Sequence, residues 1–325
     1  MSSVLFVGGT GQISAACVPL ALEQGWDVTV LNRGTSSLRT LLEEVRSVHA
    51  DVRDPAAVRA ALGDAQFDVV ADFISFNPEH AATAVELYTG RTGQYVYISS
   101  ASAYQTPPQH LPVTEETPLD NPYWQYSRDK ADSEALLLRA HAERGFPVTV
   151  VRPSATFDRT RVPTPGSWTD VERLRRGAPV VVVGDGTTLW TITRAADFAI
   201  GFVGLFGRAE AIGEAFHITS DLAPTWNEIY QALAGLLGVP AHLVHAPAEV
   251  IAAVDQRLGD SLLGDKAYSF VLDNSKIRSL VPAFAPTATL EEGLQESLDW
   301  YLADPARQGS DPHLESVFDE VVRRV

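Results

Sequence analysis

The stretch SVLFVGGTGQISAACVPLALEQG, residues 3–25, decides the fold. Its first five residues are apolar or small and read as a buried strand that runs straight into glycines. ISAACVPLALEQG then reads as a helix closed by Gly25. Between them Gly8, Gly11 and Ser14 fall in G-x-x-G-x-x-S spacing. Glycines let a backbone turn tightly and approach a pyrophosphate, and the helix start supplies N–H groups and a favourable dipole. A glycine pattern alone is weak, but a strand before and a helix after give it the required context. The turn residues Gly8, Thr10, Gly11, Gln12 and Ile13 are therefore expected to hold a dinucleotide.

The rhythm continues outward from that stretch. DVTVLNRG reads as a second strand, SLRTLLEEVRS as a helix and VHADVRD as a short third strand. PAAVRAALG, FDVVADFIS, PEHAATAVELYTG and GQYVYISSASAY follow as helix, strand, helix, strand. After a proline-rich loop, YWQYSRDKADSEALLLRAHAERG is a long helix and FPVTVVRPSATF a sixth strand. Near-continuous apolar strands alternating with helices predict an α/β fold, a Rossmann-type doubly wound parallel sheet. Beyond residue 155 the alternation breaks into a smaller α+β lobe. The expected organisation is a dinucleotide-binding domain over 1–155 with a strand returning near 190–200. A substrate lobe over 156–310 and a terminal helix over 311–325 follow, the latter with apolar positions Leu314, Val317, Phe318, Val321 and Val322.

Composition narrows the function. The 325 residues are 45% hydrophobic and 20% charged, enough for a sizeable core. A net charge of −16 disfavours nucleic acid and membrane surfaces as partners. The one cysteine, Cys17, allows no internal disulfide and suits a reducing cytoplasm. The opening residues lack a basic region and are not expected to be a secretory leader. No cluster has metal-ligand spacing.

The chemistry is carried by NPYWQYSRDKAD, residues 121–132. Only three of the 25 basic residues are lysine, yet Lys130 lies four after Tyr126, on the same face of a helix. An ammonium there is expected to lower the phenol's pKa, so that Tyr126 moves a proton as hydride moves. Ser100, at the end of strand five, is the third catalytic candidate, sharing the substrate oxygen. At the end of strand two, Asn32 and Arg33 stand where an acidic residue would bind the ribose of NAD, which leans toward NADP. Asp51 and Val52 are candidates for the adenine, with Asp54 capping the next helix. Phe73, Ser99 and Pro153 complete the expected cofactor contacts. Ser75, Phe76, Ser102, Tyr104, Thr156 and Trp190 are candidates for the substrate side. Asn274 and Lys276 stand as a phosphate contact or a helix start, and His217 as a satisfied strand residue.

GGTGQIS, ADVRD, YISSASAY, YSRDK, VRPSATF and GDGTTLWTITRAADFA together resemble an extended short-chain dehydrogenase/reductase of the NAD-dependent epimerase/dehydratase family. EAFHITSDLAPTWNEIY and VLDNSKI resemble a branch related to chloroplast stem-loop-binding proteins and sugar-nucleotide epimerases. The resemblance implies a nicotinamide cofactor, a sugar-type substrate, often a homodimer, and catalytic roles for Ser100, Tyr126 and Lys130. Two departures stand out. The Asp-Glu pair of 4,6-dehydratases is replaced by Ala101 and Ser102, so dehydration is not expected and net redox or epimerisation remains. RPSATF has Ala155 and Thr156 where the family has asparagine in its sugar-nucleotide motif. A dinucleotide sensor or RNA binder is the non-catalytic alternative.

Overall fold

The structure, a computed structural model, describes residues 1–35 and 38–325. Eleven strands are present among them: β1 (Ser3–Val7), β2 (Asp27–Asn32), β3 (Arg46–His49), β4 (Phe67–Asp72), β5 (Thr92–Ile98), β6 (Val148–Pro153), β7 (Ala155–Phe157), β8 (Val180–Val183), β9 (Ile192–Arg194), β10 (Ala215–Ile218) and β11 (Leu243–Ala246). Seven form one parallel sheet in the order β10-β6-β5-β4-β1-β2-β3. Sequence order reverses between β1 and β4, whose registers pair Val4 with Val69 and Val7 with Asp72. That reversal opens a crevice at the carboxyl ends of the strands.

Both faces of the sheet are covered, which is why its strands are apolar throughout. Helices α1 (Ser14–Glu23) and α6 (Ala195–Gly204) cover one face, burying Cys17, Val18, Phe198 and Phe202. Helices α2 (Pro55–Leu62), α3 (Pro78–Tyr88) and α4 (Gln125–Arg144) cover the other with Val58, Val85 and Leu137. The lobe comprises α5 (Trp168–Arg175), α7 (Trp226–Leu237), α8 (Ala248–Ala252), α9 (Gln256–Ser261), α11 (Leu290–Leu302) and α12 (Pro312–Arg324), while α10 (Ser275–Leu280) packs beside β10 with Ile277 in the core of the main sheet. Most of it packs around two short parallel pairs, β7-β9 and β11-β8. Helix α12 buries Val317, Phe318 and Val321 on this lobe, and Arg173 joins its Glu315 and Asp319 at 2.6 and 2.8 Å.

Two expectations are corrected. The helix over SLRTLLEEVRS begins at Ser37, outside the described residues, and from Leu38 to Val45 the chain bends without forming one. A helix would have carried Leu38, Leu41, Leu42 and Val45 together. Here Leu41 and Val45 join the core while Leu38 and Leu42 stay exposed. Arg39 reaches instead to Asp158 of the lobe, at 2.8 Å. Nor is the returning strand at 190–200. That stretch gives β9, paired with β7, and then α6; the seventh strand is β10, paired with β6.

Candidate active site

The glycine turn is shaped by two close approaches. Gly8 has φ +91°, a conformation that L side chains rarely adopt, and a Cβ there would lie 2.7 Å from Ile74 Cγ2. Ser14 replaces a third glycine and pins the turn: its Oγ accepts from Gly11 N at 2.9 Å and donates to the Gly8 carbonyl at 2.5 Å. Helix α1 opens behind it without a side-chain cap. Ile13 and Ser14, where α1 starts, line a cleft of about 1010 Å³, while the N–H groups of Ala15 and Ala16 bond to the Gly11 and Ile13 carbonyls. Uncapped N–H groups at a glycine turn with no room for a Cβ are chemically suited to a pyrophosphate. Thr10, Gly11, Gln12 and Ile13 line this part of the cleft. Gln12 also crosses it, its Nε2 donating to the Thr156 carbonyl at 2.9 Å.

At one end the cleft is lined by Asn32, Arg33, Asp51 and Val52. Arg33 and Asp51 are exposed. Asn32 Oδ1 accepts from Gly34 N at 2.8 Å, so that side chain is tied into the turn. Asp51 Oδ1 accepts from Arg53 N at 3.0 Å. Asp54 caps α2, accepting from Ala56 N and Ala57 N at 3.0 and 3.1 Å, which leaves Asp51 facing the cleft. Arg53 and Arg161 also line the cleft and were not anticipated. Arg161 arrives from the lobe, on a segment whose position depends on the Arg39–Asp158 pair.

At the other end Tyr126 and Lys130 face the cleft from one side of α4. Lys130 is only 1% exposed. Its Nζ donates to the carbonyls of Ser75 and Ile98, both at 2.7 Å, so one of its three N–H groups is unspent by these bonds. Burial pushes its pKa down to about 8, against the opposing pull of Asp72 and Glu134. The Tyr126 phenol does not behave as expected from spacing. Burial pushes it up to about 12; the neighbouring Ser100 hydroxyl pulls it down and Asp265 adds to the rise. The ammonium lies 5.8 Å from the centre of the Tyr126 ring and is directed at backbone carbonyls, so desolvation outweighs it.

Ser100 starts a one-turn 3-10 helix over Ala101–Ala103 and lines the cleft. Its Oγ lies 2.9 Å from Ser102 Oγ, which accepts from Ser127 Oγ at 2.9 Å. Ser99 lines the cleft with its Oγ bonded to Glu134. Glu134 is one turn beyond Lys130 on α4 and takes two bonds from Arg152 Nε, at 3.0 and 3.1 Å. This buried pair fastens the catalytic helix to β6, and its i, i+4 spacing from Lys130 was a usable signal. Phe73, Phe76, Pro153 and Thr156 line the cleft as expected.

Other candidates lie elsewhere. Ser102 is buried behind Ser100, and Ser75 is buried against Asp72, so neither lines the cleft. Tyr104 is fully buried, accepting from Arg152 Nη1 at 2.7 Å and bonded to His217 Nε2 at 2.5 Å. His217 Nδ1 lies 2.9 Å from the Asp273 carbonyl, so that nitrogen carries the proton and Tyr104 donates to Nε2. Trp190 is 6% exposed and stacked on Trp226 at 4.4 Å, a packing contact of the lobe. Asn274 is buried on Thr219, and Lys276 pairs with Glu214, both away from the cleft lining. His217 is the satisfied strand residue expected and Asn274 stands at the start of α10; the others were misplaced because strand ends and lobe segments carry no periodicity that says which way a side chain faces.

Comparison with known proteins agrees with this architecture. The profile described as the NAD dependent epimerase/dehydratase family matches residues 4–218. The chain is 27% identical to 2'-dehydrokanamycin reductase of Streptomyces kanamyceticus over 86% of this chain and 79% of that protein. It is 26% identical to the chloroplast stem-loop binding protein of 41 kDa b of Arabidopsis thaliana, over 74% of this chain and 65% of that one. Among solved structures, dTDP-glucose 4,6-dehydratase of Bacillus anthracis superposes with a TM-score of 0.76 at 19% identity, covering 94% of this chain and 98% of that chain. UDP-glucose 4-epimerase of Bifidobacterium longum gives 0.74 at 20% identity, covering 95% and 100%.

Proposed function

The chain belongs to the NAD dependent epimerase/dehydratase family, and from that premise we propose that it moves hydride between a nicotinamide cofactor and a secondary carbinol of a sugar-type small molecule. The observation that carries this reading is the meeting of Ser100, Tyr126 and Lys130 at one end of the cleft that begins at the glycine turn. A nicotinamide cofactor, when bound, supplies or accepts the hydride. The residues fit such a group. The turn and α1 offer N–H groups to the pyrophosphate, and Asn32, Arg33, Asp51 and Val52 face the adenosine. Lys130 offers its third N–H to the nicotinamide side.

Tyr126 gives its proton to a carbonyl oxygen that gains hydride, or takes one from a carbinol that loses it. A phenol pushed up to about 12 by burial is protonated at rest, the form that gives a proton rather than takes one. Ser100 steadies the same oxygen by hydrogen bonding, and Ser102 and Ser127 hold Ser100 from behind. Ala101 and Ser102, which follow Ser100 in the chain, provide no carboxylate, which supports redox or epimerisation rather than dehydration.

The finer reading is a reductase that uses NADPH. Arg33 lines the cleft without a carboxylate at the end of β2, and the reductase relative spans most of the chain. A retained NAD with two-way epimerisation is the competing outcome. We also propose a homodimer, as the family resemblance implies, in the cytoplasm; the single, buried cysteine suits a reducing compartment. Among the described residues no helix is long and apolar enough to cross a membrane.

Mass spectrometry of the purified native protein tests the cofactor, and absorbance at 340 nm with keto-sugars tests the reaction. A reductase consumes added NADPH. An epimerase carries its cofactor through purification and interconverts sugars without net absorbance change. Absence of any bound dinucleotide together with no turnover of NADH or NADPH would sink the proposal.

A further inference from the structure

Strand β4 ends in a residue that its apolar run does not explain. Asp72 is 2% exposed, and an isolated carboxylate is costly at such a position. It is fully satisfied by donors. Oδ1 accepts from Ile74 N at 2.8 Å and Ser75 N at 2.9 Å. Oδ2 accepts from Ser75 Oγ at 2.7 Å and Tyr95 OH at 2.6 Å. All four donors are neutral, so none of these bonds brings a positive charge to the carboxylate. The negative charge therefore remains uncompensated by these bonds.

The same loop turns the Ser75 carbonyl toward α4, where it accepts from Lys130 Nζ at 2.7 Å. Asp72 and the ammonium thus hold Ser75 from opposite sides. We propose that Asp72 is the positioning residue and buried counter-charge of Lys130, fixing the loop that holds the ammonium and keeping that ammonium charged without touching substrate or cofactor.

The other groups around Lys130 do not fill this role. Glu134, on its own helix, is engaged by Arg152 in a buried pair. Tyr126 and Tyr97 bring neutral phenols, Tyr97 lying 4.8 Å from Nζ by its ring centre. From α3, the His80 ring accepts from Phe76 N and is held toward its neutral form by burial, with Glu79 beside it. Tyr88, also on α3, is a neutral phenol raised by burial and by Asp72. Arg53 donates to the Ile74 carbonyl at 2.6 Å and adds positive charge, which makes the need for Asp72 greater.

The inference rests on the reading that Lys130 binds the cofactor, and binding rather than turnover separates the two. NADH and NADPH fluorescence titrations are run from pH 6 to 10, a range chosen around the value of about 8 for Lys130. Wild-type affinity is expected to fall through an alkaline limb that is absent in Lys130→Met. In Asp72→Asn the limb is expected to move to lower pH by about one unit, because a removed negative charge makes the ammonium harder to keep. A limb unmoved in D72N overturns the role of Asp72 and leaves the cleft reading intact. No limb in the wild type overturns both. Should D72N not fold, Ser75→Ala loosens the carbonyl while keeping the charge. It is expected to weaken NADH binding severalfold at every pH with the limb unmoved; wild-type affinity in S75A overturns the proposal.

Discussion

At one end of the cleft Lys130 is buried and bonded to two backbone carbonyls. At the other, Arg33 after β2 and Asp51 after β3 stand in solvent. The buried end has shifted pKa values: Lys130 down to about 8 and Tyr126 up to about 12. Water screens the exposed end, so its charges contribute contact and selectivity. The difference teaches where each kind of energy is kept. The proton chemistry we propose sits where desolvation makes a protonation state matter, and the adenosine recognition we propose sits where a side chain rearranges cheaply.

The largest expected effect breaks the buried end. Tyr126→Phe keeps the ring and removes the acid, so kcat should fall by about 10² to 10⁴ with cofactor affinity retained. Single-turnover kinetics with prebound NADPH would show it, and an undiminished rate would undo the contrast between the ends. Next is the junction. Gly8→Val meets Ile74 and a strained backbone, so dinucleotide affinity should fall on the order of a hundredfold, read by calorimetry.

Lys130 then sharpens the comparison through pH. Its value in the folded chain, about 8, lies below the ordinary 10.5, so the unfolded chain binds more protons between these values. By linkage this group's contribution to stability rises with pH across that window. Activity should fall over the same window as the ammonium is lost. Thermal melts and rate profiles of the wild type and Lys130→Met check both, since the variant should lose both trends. The smallest effect belongs to the exposed end. Arg33→Glu should shift the ratio of NADPH to NADH affinity toward NADH by about tenfold, with kcat unchanged. A change in kcat there would show that the two ends are coupled.

Much of this was legible in the chain. Six of the seven strands of the main sheet were readable from SVLFVGG onward, and EAFHITS, the seventh, was readable as a strand but not as part of that sheet. The glycine turn, Tyr126, Lys130, Ser100 and the adenosine-facing residues all line the one cleft, because strand ends and helix starts are local features. SLRTLLEEVRS misled because its apolar spacing suits a helix, whereas Arg39 is drawn to Asp158 across 119 residues. Trp190 and Tyr104 misled because an aromatic residue near a predicted edge reads the same whether it lines a site or packs a core.

The sequence by itself determined the alternation of strand and helix, the glycine turn and the placing of a phenol and an ammonium one helical turn apart, all of which follow from periods of a few residues. Only the tertiary structure decided the protonation state each group prefers. Burial and the carbonyls of Ser75 and Ile98 come from segments far apart in the chain, and desolvation depends on what surrounds a group rather than on its neighbours in sequence.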